Sequence, residues 1–556
     1  MSRGDSYRTL LNAQFPGRRA SGWLHGERIF LTDGERTIRY RDFPSIMRNA
    51  DRFLSSQLSE IWRVPNCDTP PSFWLGIDTT ERLEAALWMI YCWMRFIPFI
   101  PFAKSWLEPA TLFQPDIVLC TSPGTQAVLK DIGLYATDNT STVAKSLLAP
   151  ALSRHLSGKT HYASHGSTGD VHESSRTLYA GLFDQSDHYF CGLATSGSSG
   201  RPKRVALLRR NMIAAAENAF KADIKKTAHG NENDGLGDRN YLWGNCLPLY
   251  HAGGLAIVFR ALLSGTGLYV WNQFDPETVT RDLKDHPDIR RISLVPTMLK
   301  RLMEYHTATG THAPRGLDMV LVGGGPSNPE LLEGARHKSW PVCFSYGMTE
   351  TIGQIAAQDP GNDDPAGSVG RPFPGLEAVI HDGQGSELQR GETGILRIRG
   401  PQVFPGYMGT DRQIVFSEFG PDQDGWFETG DYARMDDKGR LYFEARRTDL
   451  IISGGQNVNP SEVEEILLES PHVRDAAVTG LDDEEWGQIV VAFIVPDHAQ
   501  ERTVGGVVSA IETFASESLK PHQRPKKIHL VASIPRTSLG KIERGRLRKL
   551  ATDRPV

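Results

Sequence analysis

The chain has 556 residues, enough for several folding units at roughly 100–200 residues each. Apolar residues make up 39% and charged residues 23%, so a buried core can form and global disorder is excluded. With 61 basic and 66 acidic side chains, a net charge of -5, nothing in the composition calls for nucleic acid or an anionic membrane as partner.

Taken in chain order, the opening MSRGDSYRTLLNAQ lacks the apolar run of a secretory leader, and the closing ATDRPV is not the peroxisomal S-K-L address. The cysteines Cys67, Cys92, Cys120, Cys191, Cys246 and Cys343 form no C-x-x-C pair. That pattern argues against a disulfide framework or a zinc site and for a reducing compartment, so a cytoplasmic protein is expected. The stretch Ala85–Phe102 is the most membrane-like, but Arg95, Pro98 and Pro101 interrupt it, and a span needs about 18–25 clean apolar residues. Leu83, Leu87, Ile90 and Met94 recur at helical spacing, which predicts a buried helix running into a short strand and no integral membrane segment. From Thr121 to about Thr177 the chain is rich in Ser, Thr, Gly and His and reads as loops and short helices.

His188–Ala194 is predicted as a strand, followed by a loop Thr195–Lys203 and a helix near Arg210–Phe220. Met319–Val322 is a strand, Gly323–Pro326 a tight turn, Pro329–Lys338 a helix and Pro341–Ser345 another strand. Strands alternating with helices imply βαβ units and largely parallel sheets, with ligands gathering at the carboxyl ends of strands. Past Arg446 the pattern changes: Leu450–Ile452 is a short strand, SGGQNVNP a loop, and Asn459 caps a helix that Pro460 opens and Glu462 supports. A strand Ile489–Val495 and a basic helix around Glu543–Ala551 complete a small unit. The expected fold is therefore α/β mixed with α+β. A large N-terminal domain, 1–447, carries parallel βαβ-type sheets, and a small α+β domain, 448–556, follows.

The loop Thr195-Ser196-Gly197-Ser198-Ser199-Gly200-Arg201-Pro202-Lys203 has the makings of a phosphate cradle. Glycines admit backbone N–H groups, hydroxyls donate, and lysine supplies positive charge. It is not a Walker A loop, because Pro202 precedes the lysine and Arg204 follows it. The bland alternative by composition is a Ser/Gly surface linker. Asp422-Gln423-Asp424-Gly425 resembles the start of a calcium loop, but the remaining ligand spacing fails. The basic run Arg544–Lys549 reads as a solvated helix face.

Leu193–Val205 resembles the ATP signature of the adenylate-forming superfamily of acyl-CoA synthetases, aryl-CoA ligases, luciferases and adenylation domains. The resemblance continues in the family's order through Leu247–Leu255 (LPLYHAGGL), Gly323-Gly324-Gly325-Pro326 and Tyr346-Gly347-Met348-Thr349-Glu350. It then takes in Gly394–Gly400 (GILRIRG), Thr429-Gly430-Asp431, Arg446 with Asp449–Gly455 (DLIISGG), and Pro535–Lys541 (PRTSLGK). The first 180 or so residues match poorly.

This resemblance implies ATP-dependent conversion of a small-molecule carboxylic acid to an acyl-adenylate with release of pyrophosphate, followed by thioester formation with CoA. The same adenylation followed by transfer to a carrier-protein pantetheine or to an amine is the alternative. Two anionic groups must approach each other, so cations and backbone dipoles are required. By resemblance, Thr195–Lys203 grips the β- and γ-phosphates, Thr349 contacts the α-phosphate, and Glu350 holds Mg2+, a cation that prefers oxygen ligands. Tyr346 resembles the face on which adenine stacks, with Gly323–Pro326 beside it. Asp431 resembles the acceptor for both ribose hydroxyls, and Arg446 supports ribose and phosphate. Lys541 resembles the lysine that bridges the attacking carboxylate and the α-phosphate, a charge acting in the transition state; composition alone would make it a solvated tail residue.

His251 resembles the aromatic residue beside the acyl pocket, and LPLYHAGGL offers no aspartate for an amino-acid substrate. Ser345 and Gly347 flank the expected acyl pocket, and their small size leaves room for a bulky or aryl acid. In the family the C-terminal domain rotates between the half-reactions. Ser453-Gly454-Gly455 resembles the loop lining a pantetheine tunnel, and Asp482–Gln488 resembles the segment beside it. At the hinge, Thr448 stands where an acid or lysine is usual, although hinges need only tolerate a backbone rotation.

Overall fold

The computed structural model of the protein describes residues 29–39, 42, 46–47, 49–51, 74–102, 117–119, 187–195, 203–227, 241–314, 316–325, 329–359, 364–365, 367–409, 414–415, 420–446, 449–454, 456–497, 504–536 and 542–552. The segment 121–177, and Ser196–Pro202, Pro326, the boundary pair Arg447/Thr448, Gly455 and Lys541, lie outside them.

The membrane-like stretch folds as a helix, Arg82–Met94, whose residues Leu83–Met94 are all buried, followed by a buried strand Phe99–Phe102. Protein surrounds this helix where lipid would surround a span. Trp93 packs edge-on against Phe190 at 4.9 Å, and Phe190 does the same against Phe259 at 4.7 Å. Arg209, almost fully buried, lies over the Trp93 ring at 4.0 Å and the Phe96 ring at 4.2 Å, so its charge is held by aromatic faces. Among the described residues, no helix is long and apolar enough to cross a membrane.

The expected βαβ units form the larger sheet of nine strands. From Leu242–Asn245, parallel pairing runs through Ile289–Leu294 and Met319–Val322 to Val342–Met348 on one side, and to Gly267–Val270 on the other. Helices Ala252–Ser264, Pro296–Thr309 and Pro329–His337 supply crossovers. A seven-stranded sheet contains Tyr189–Thr195, Phe99–Phe102 and Leu75–Asp78. A third sheet, four antiparallel strands of alternating inward and outward residues, comprises Glu377–His381, Thr393–Arg399, Phe427–Met435 and Leu441–Arg446.

One local expectation is revised. The stretch between the loop and the helix near Arg210 is a strand, Lys203–Leu208, antiparallel to Tyr189–Thr195, and the helix starts at Arg209 and runs to Thr227. Thr195 pairs with Lys203, so the two strands meet in register at the residues that flank 196–202 in sequence.

C-terminal to Arg446, the five-stranded sheet is built on Val473–Asp483 and Gly487–Pro496, with Ile451–Ser453, Gln456–Val458 and Lys527–Leu530. It has its own apolar cluster, including Val463, Leu467, Val490 and Ile494. The Asn459 side chain accepts from the Ser461 N–H and Pro460 opens the helix Pro460–Leu468, as the capping pattern predicts.

Candidate active site

Parallel register brings several loops to one edge of the nine-stranded sheet. Ser293 lies opposite Asn245, Leu294 opposite Val322, and Val322 opposite Phe344. The residues that follow the first three strands, Cys246–His251, Val295 and Gly323–Gly325, therefore leave the sheet at its carboxyl edge, where Ser345–Met348 continue the strand Val342–Met348. Asn245 is fully buried and braces this edge: its amide donates to the Gly254 carbonyl at 2.9 Å and accepts from the Leu247 N–H at 3.0 Å. His251 stands just before the helix Ala252–Ser264, half-buried, with its ring 4.6 Å from that of Tyr250.

The strand Val342–Met348 changes partner along its length. Val342–Phe344 pair in parallel with Met319–Val322, whereas Ser345–Met348 pair antiparallel with Gly353–Ala357. This second pairing explains Gly347, because a Cβ there would lie 1.8 Å from the Gly353 carbonyl oxygen. Backbone approach demands glycine at this position whatever acid is bound.

Tyr346 projects from that strand to the four-stranded sheet. Its hydroxyl donates to Asp431 Oδ2 at 2.6 Å, and its ring stacks on Phe443 with centroids 5.7 Å apart. Asp431 is only 2% exposed. The turn before it is fixed by Thr429, whose hydroxyl donates to the Leu396 carbonyl at 2.9 Å and accepts from the Asp431 N–H at 3.1 Å. Across the ladder Asp431 lies opposite Arg446. Residues 85 positions apart thus meet because two sheets present them to each other.

Thr349–Thr351 form a short helical turn directly after the strand, and Glu350 in it is 7% exposed. The Tyr407 hydroxyl donates to Glu350 Oε1 at 2.9 Å, and the Phe404 N–H donates to the Glu350 carbonyl at 2.8 Å. The Lys203 ammonium lies 4.8 Å from the centre of the Tyr407 ring. A carboxylate and a cation from the predicted set therefore share one tyrosine. Sequence reasoning missed Tyr407, and nothing local marks it, since its partner lies 57 positions upstream. Phe443 was missed for the same reason.

In the C-terminal unit Ser453 is buried and pairs with Gln456. Gly454 follows with a φ of +58°, and its N–H donates to the Trp486 carbonyl at 2.9 Å. Trp486 is partly exposed, and the Lys526 ammonium sits 4.6 Å from its ring centre. Arg536 and Ile542 form an antiparallel bridge around the segment that holds Lys541. Arg536 also donates to Asp475 at 2.8 Å, and Arg544 to Glu464 at 2.7 Å.

Residues 140–408 match the family described as "AMP-binding enzyme", and residues 462–541 match "AMP-binding enzyme C-terminal domain". The 2-succinylbenzoate–CoA ligase of Bacillus licheniformis is 37% identical over 354 residues, covering 64% of this chain and 68% of the relative. The chain belongs to the AMP-binding enzyme family. The corresponding ligase of Enterococcus faecalis is 35% identical over 63% of this chain and 67% of its own length. Among solved structures, the o-succinylbenzoate CoA synthetase MenE from Bacillus subtilis, in complex with the acyl-adenylate intermediate OSB-AMP, superposes with a TM-score of 0.73 at 25% identity. That match covers 94% of this chain and 96% of the other. ATP-bound MatB from Rhodopseudomonas palustris shares the fold, with a TM-score of 0.74, 23% identity, and coverage of 98% and 99%. The same MenE has also been solved in complex with ATP and magnesium ion, with a TM-score of 0.72 at 25% identity. This enzyme is accordingly an ATP-dependent, AMP-forming acid–thiol ligase.

Proposed function

We propose that the enzyme activates an aryl carboxylic acid of the 2-succinylbenzoate class and transfers the acyl group to CoA. The observation that carries the nucleotide half of this reading is the meeting of Tyr346 with buried Asp431, together with the tyrosine that joins Glu350 and Lys203. Adenine would stack on the Tyr346 face turned away from Phe443, and Asp431 would accept from both ribose hydroxyls, as buried carboxylates do when hydrogen-bonded. Arg446, opposite Asp431 in the ladder, would support ribose and phosphate. Lys203 and the segment 196–202 would hold the β- and γ-phosphates, Thr349 the α-phosphate, and Lys541 would span the attacking carboxylate and the α-phosphate.

Magnesium fits this donor set. Among the described residues, no group of three or more His, Cys, Asp or Glu side chains could hold a metal ion. Mg2+ is ordinarily bound by one or two carboxylates together with phosphates and water, and Glu350 would supply that carboxylate. When bound, the ion neutralises phosphate charge and polarises the phosphoryl oxygens.

The acid class rests on the relatives, named 2-succinylbenzoate–CoA ligases. His251 at the edge of the sheet would line the acyl side. We divide the chain functionally at Arg447/Thr448, with the C-terminal unit moving between half-reactions and Ser453–Gly455 lining the path of the pantetheine. The described cysteines Cys92, Cys191, Cys246 and Cys343 are free and buried, which suits a cytoplasmic setting.

Pyrophosphate release should be measured with 2-succinylbenzoate, benzoate, malonate and octanoate, with mass spectrometry for acyl-CoA. Release with 2-succinylbenzoate well above the other acids, together with its CoA thioester, is expected. Preference for an aliphatic acid would overturn the acid class. An adenylate that forms amide or carrier-bound product but no CoA thioester would overturn the acceptor.

A further inference from the structure

We infer that Tyr407 is a positioning residue for the adenylation step, orienting the Glu350 carboxylate toward the metal of ATP while its ring seats the Lys203 ammonium. The inference rests on the assignment of Glu350 to that metal. Three observations tie the tyrosine to both charges. Its hydroxyl donates to Glu350 Oε1 at 2.9 Å, and its ring lies 4.8 Å from Lys203 Nζ. Its strand, Gly406–Met408, pairs with Lys203–Leu208 so that Tyr407 lies opposite Val205. The tyrosine and Lys203 therefore belong to one sheet, and a shift of either would break ladder bonds.

The carboxylate is fixed from the same segment, because the Phe404 N–H holds the Glu350 carbonyl at 2.8 Å. Phe404 is itself buried, packed against Tyr407 at 4.9 Å and Phe427 at 5.0 Å. Two anchors on one short stretch thus hold both the backbone and the side chain of Glu350. A carboxylate has about four lone-pair sites, so a bond from the phenol leaves capacity for a cation. Outer groups that orient a metal-binding carboxylate typically change metal affinity by about 10–100-fold when removed. The ring contributes separately: a cation over an aromatic face is attracted by the ring quadrupole, which places the Lys203 ammonium beside the tyrosine that holds Glu350.

The test uses Mn2+ as a spectroscopic substitute, titrated by electron paramagnetic resonance in the presence of a non-hydrolysable ATP analogue. Tyr407→Phe keeps the ring and removes the hydroxyl. The expected result is a Mn2+ dissociation constant raised about 10-fold, with analogue binding in EDTA unchanged. Tyr407→Ala should weaken analogue binding in EDTA as well, because the seat of Lys203 is lost. Glu350→Gln is the control for the underlying assignment. Wild-type Mn2+ affinity in Tyr407→Phe, with weakened affinity in Glu350→Gln, would overturn the role of the tyrosine alone. Unchanged Mn2+ affinity in Glu350→Gln would overturn the assignment of Glu350 and the inference with it.

Discussion

Tyr346 makes two contacts that substitution can separate. Tyr346→Phe keeps the ring on Phe443 but removes the hydroxyl that donates to Asp431 at 2.6 Å. Asp431 is buried, and a hydrogen bond to a charged group contributes about 1.5–3 kcal/mol. With Asp431 holding the ribose as proposed, the KM for ATP should therefore rise about 10-fold or more, with a smaller change in kcat, because the bond would orient Asp431 without touching a reacting atom. Steady-state kinetics with varied ATP measures this. Gly347 makes a different kind of demand. A Cβ at 1.8 Å from the Gly353 carbonyl oxygen cannot be relieved by a rotamer change, so Gly347→Ala must separate the antiparallel pair. An overpacked site typically costs about 1–3 kcal/mol, readable as a lower urea midpoint together with weaker ATP binding, since Tyr346 and Glu350 sit on the displaced segment.

At the scale of elements, local periodicity made much of this fold legible, and long-range pairing hid the rest. Met319–Val322 and the helix opened by Pro460 follow from short patterns of apolar residues and caps, and the structure has both where those patterns put them. The strand Lys203–Leu208 did not stand out, because its apolar residues run straight into the next helix without a turn residue. Motif order brought Tyr346 and Asp431 into one list, but no local signal gave their bond or the tyrosine that joins Glu350 and Lys203. Another long-range link, Glu464 with Arg544, joins the helices Pro460–Leu468 and Arg544–Thr552 and also receives the Val478 N–H at 2.7 Å. Burial pushes the Glu464 carboxyl up to about 7, against the opposing pull of Arg544 and the Val478 N–H; the unfolded value is ~4.3. Between those values the unfolded chain has released a proton that the folded chain keeps, so this contribution to stability is full below ~4.3 and lost as pH rises through about 7. Glu465, also pushed up to about 7 by burial, titrates in the same window, so the comparison needs a variant. Glu464→Gln should flatten the pH dependence of unfolding between pH ~5 and ~7 relative to wild type. Arg544→Ala removes the cation that pulls the Glu464 carboxyl down, so that carboxyl should be pushed up further and the pH dependence of unfolding should extend to higher pH. Urea unfolding of the full chain at several pH values tests both, and identical slopes for wild type and Glu464→Gln would refute the assignment.

Across the whole molecule, the two half-reactions place different demands on the C-terminal unit. Arg536 and Ile542 form an antiparallel bridge, Arg536 donates to Asp475 and Arg544 to Glu464. Lys541 immediately precedes Ile542 in sequence, whereas Gly454 is the turn residue that follows the strand Ile451–Ser453, the partner of Gln456–Val458. A side chain at Gly454 would adopt φ +58° and put its Cβ 2.9 Å from the Trp486 ring, so Gly454→Val disturbs the glycine turn and the exposed tryptophan together. With Lys541 acting on the α-phosphate, Lys541→Ala should lower acid-dependent pyrophosphate release by about 100-fold or more, the scale of losing a transition-state charge contact. It should leave conversion of a supplied acyl-adenylate to thioester within about 3-fold of wild type, since that step does not draw on the same charge. Gly454→Val should do the reverse, because in the proposed assignment the turn serves only the approach of the thiol. Single-turnover assays started from acid plus ATP, and separately from synthetic acyl-adenylate plus CoA, resolve the two steps. Equal losses in both steps for both variants would mean that the C-terminal unit acts as one rigid wall of the site. Opposite losses would mean that its two loops serve the site in turn, as proposed above.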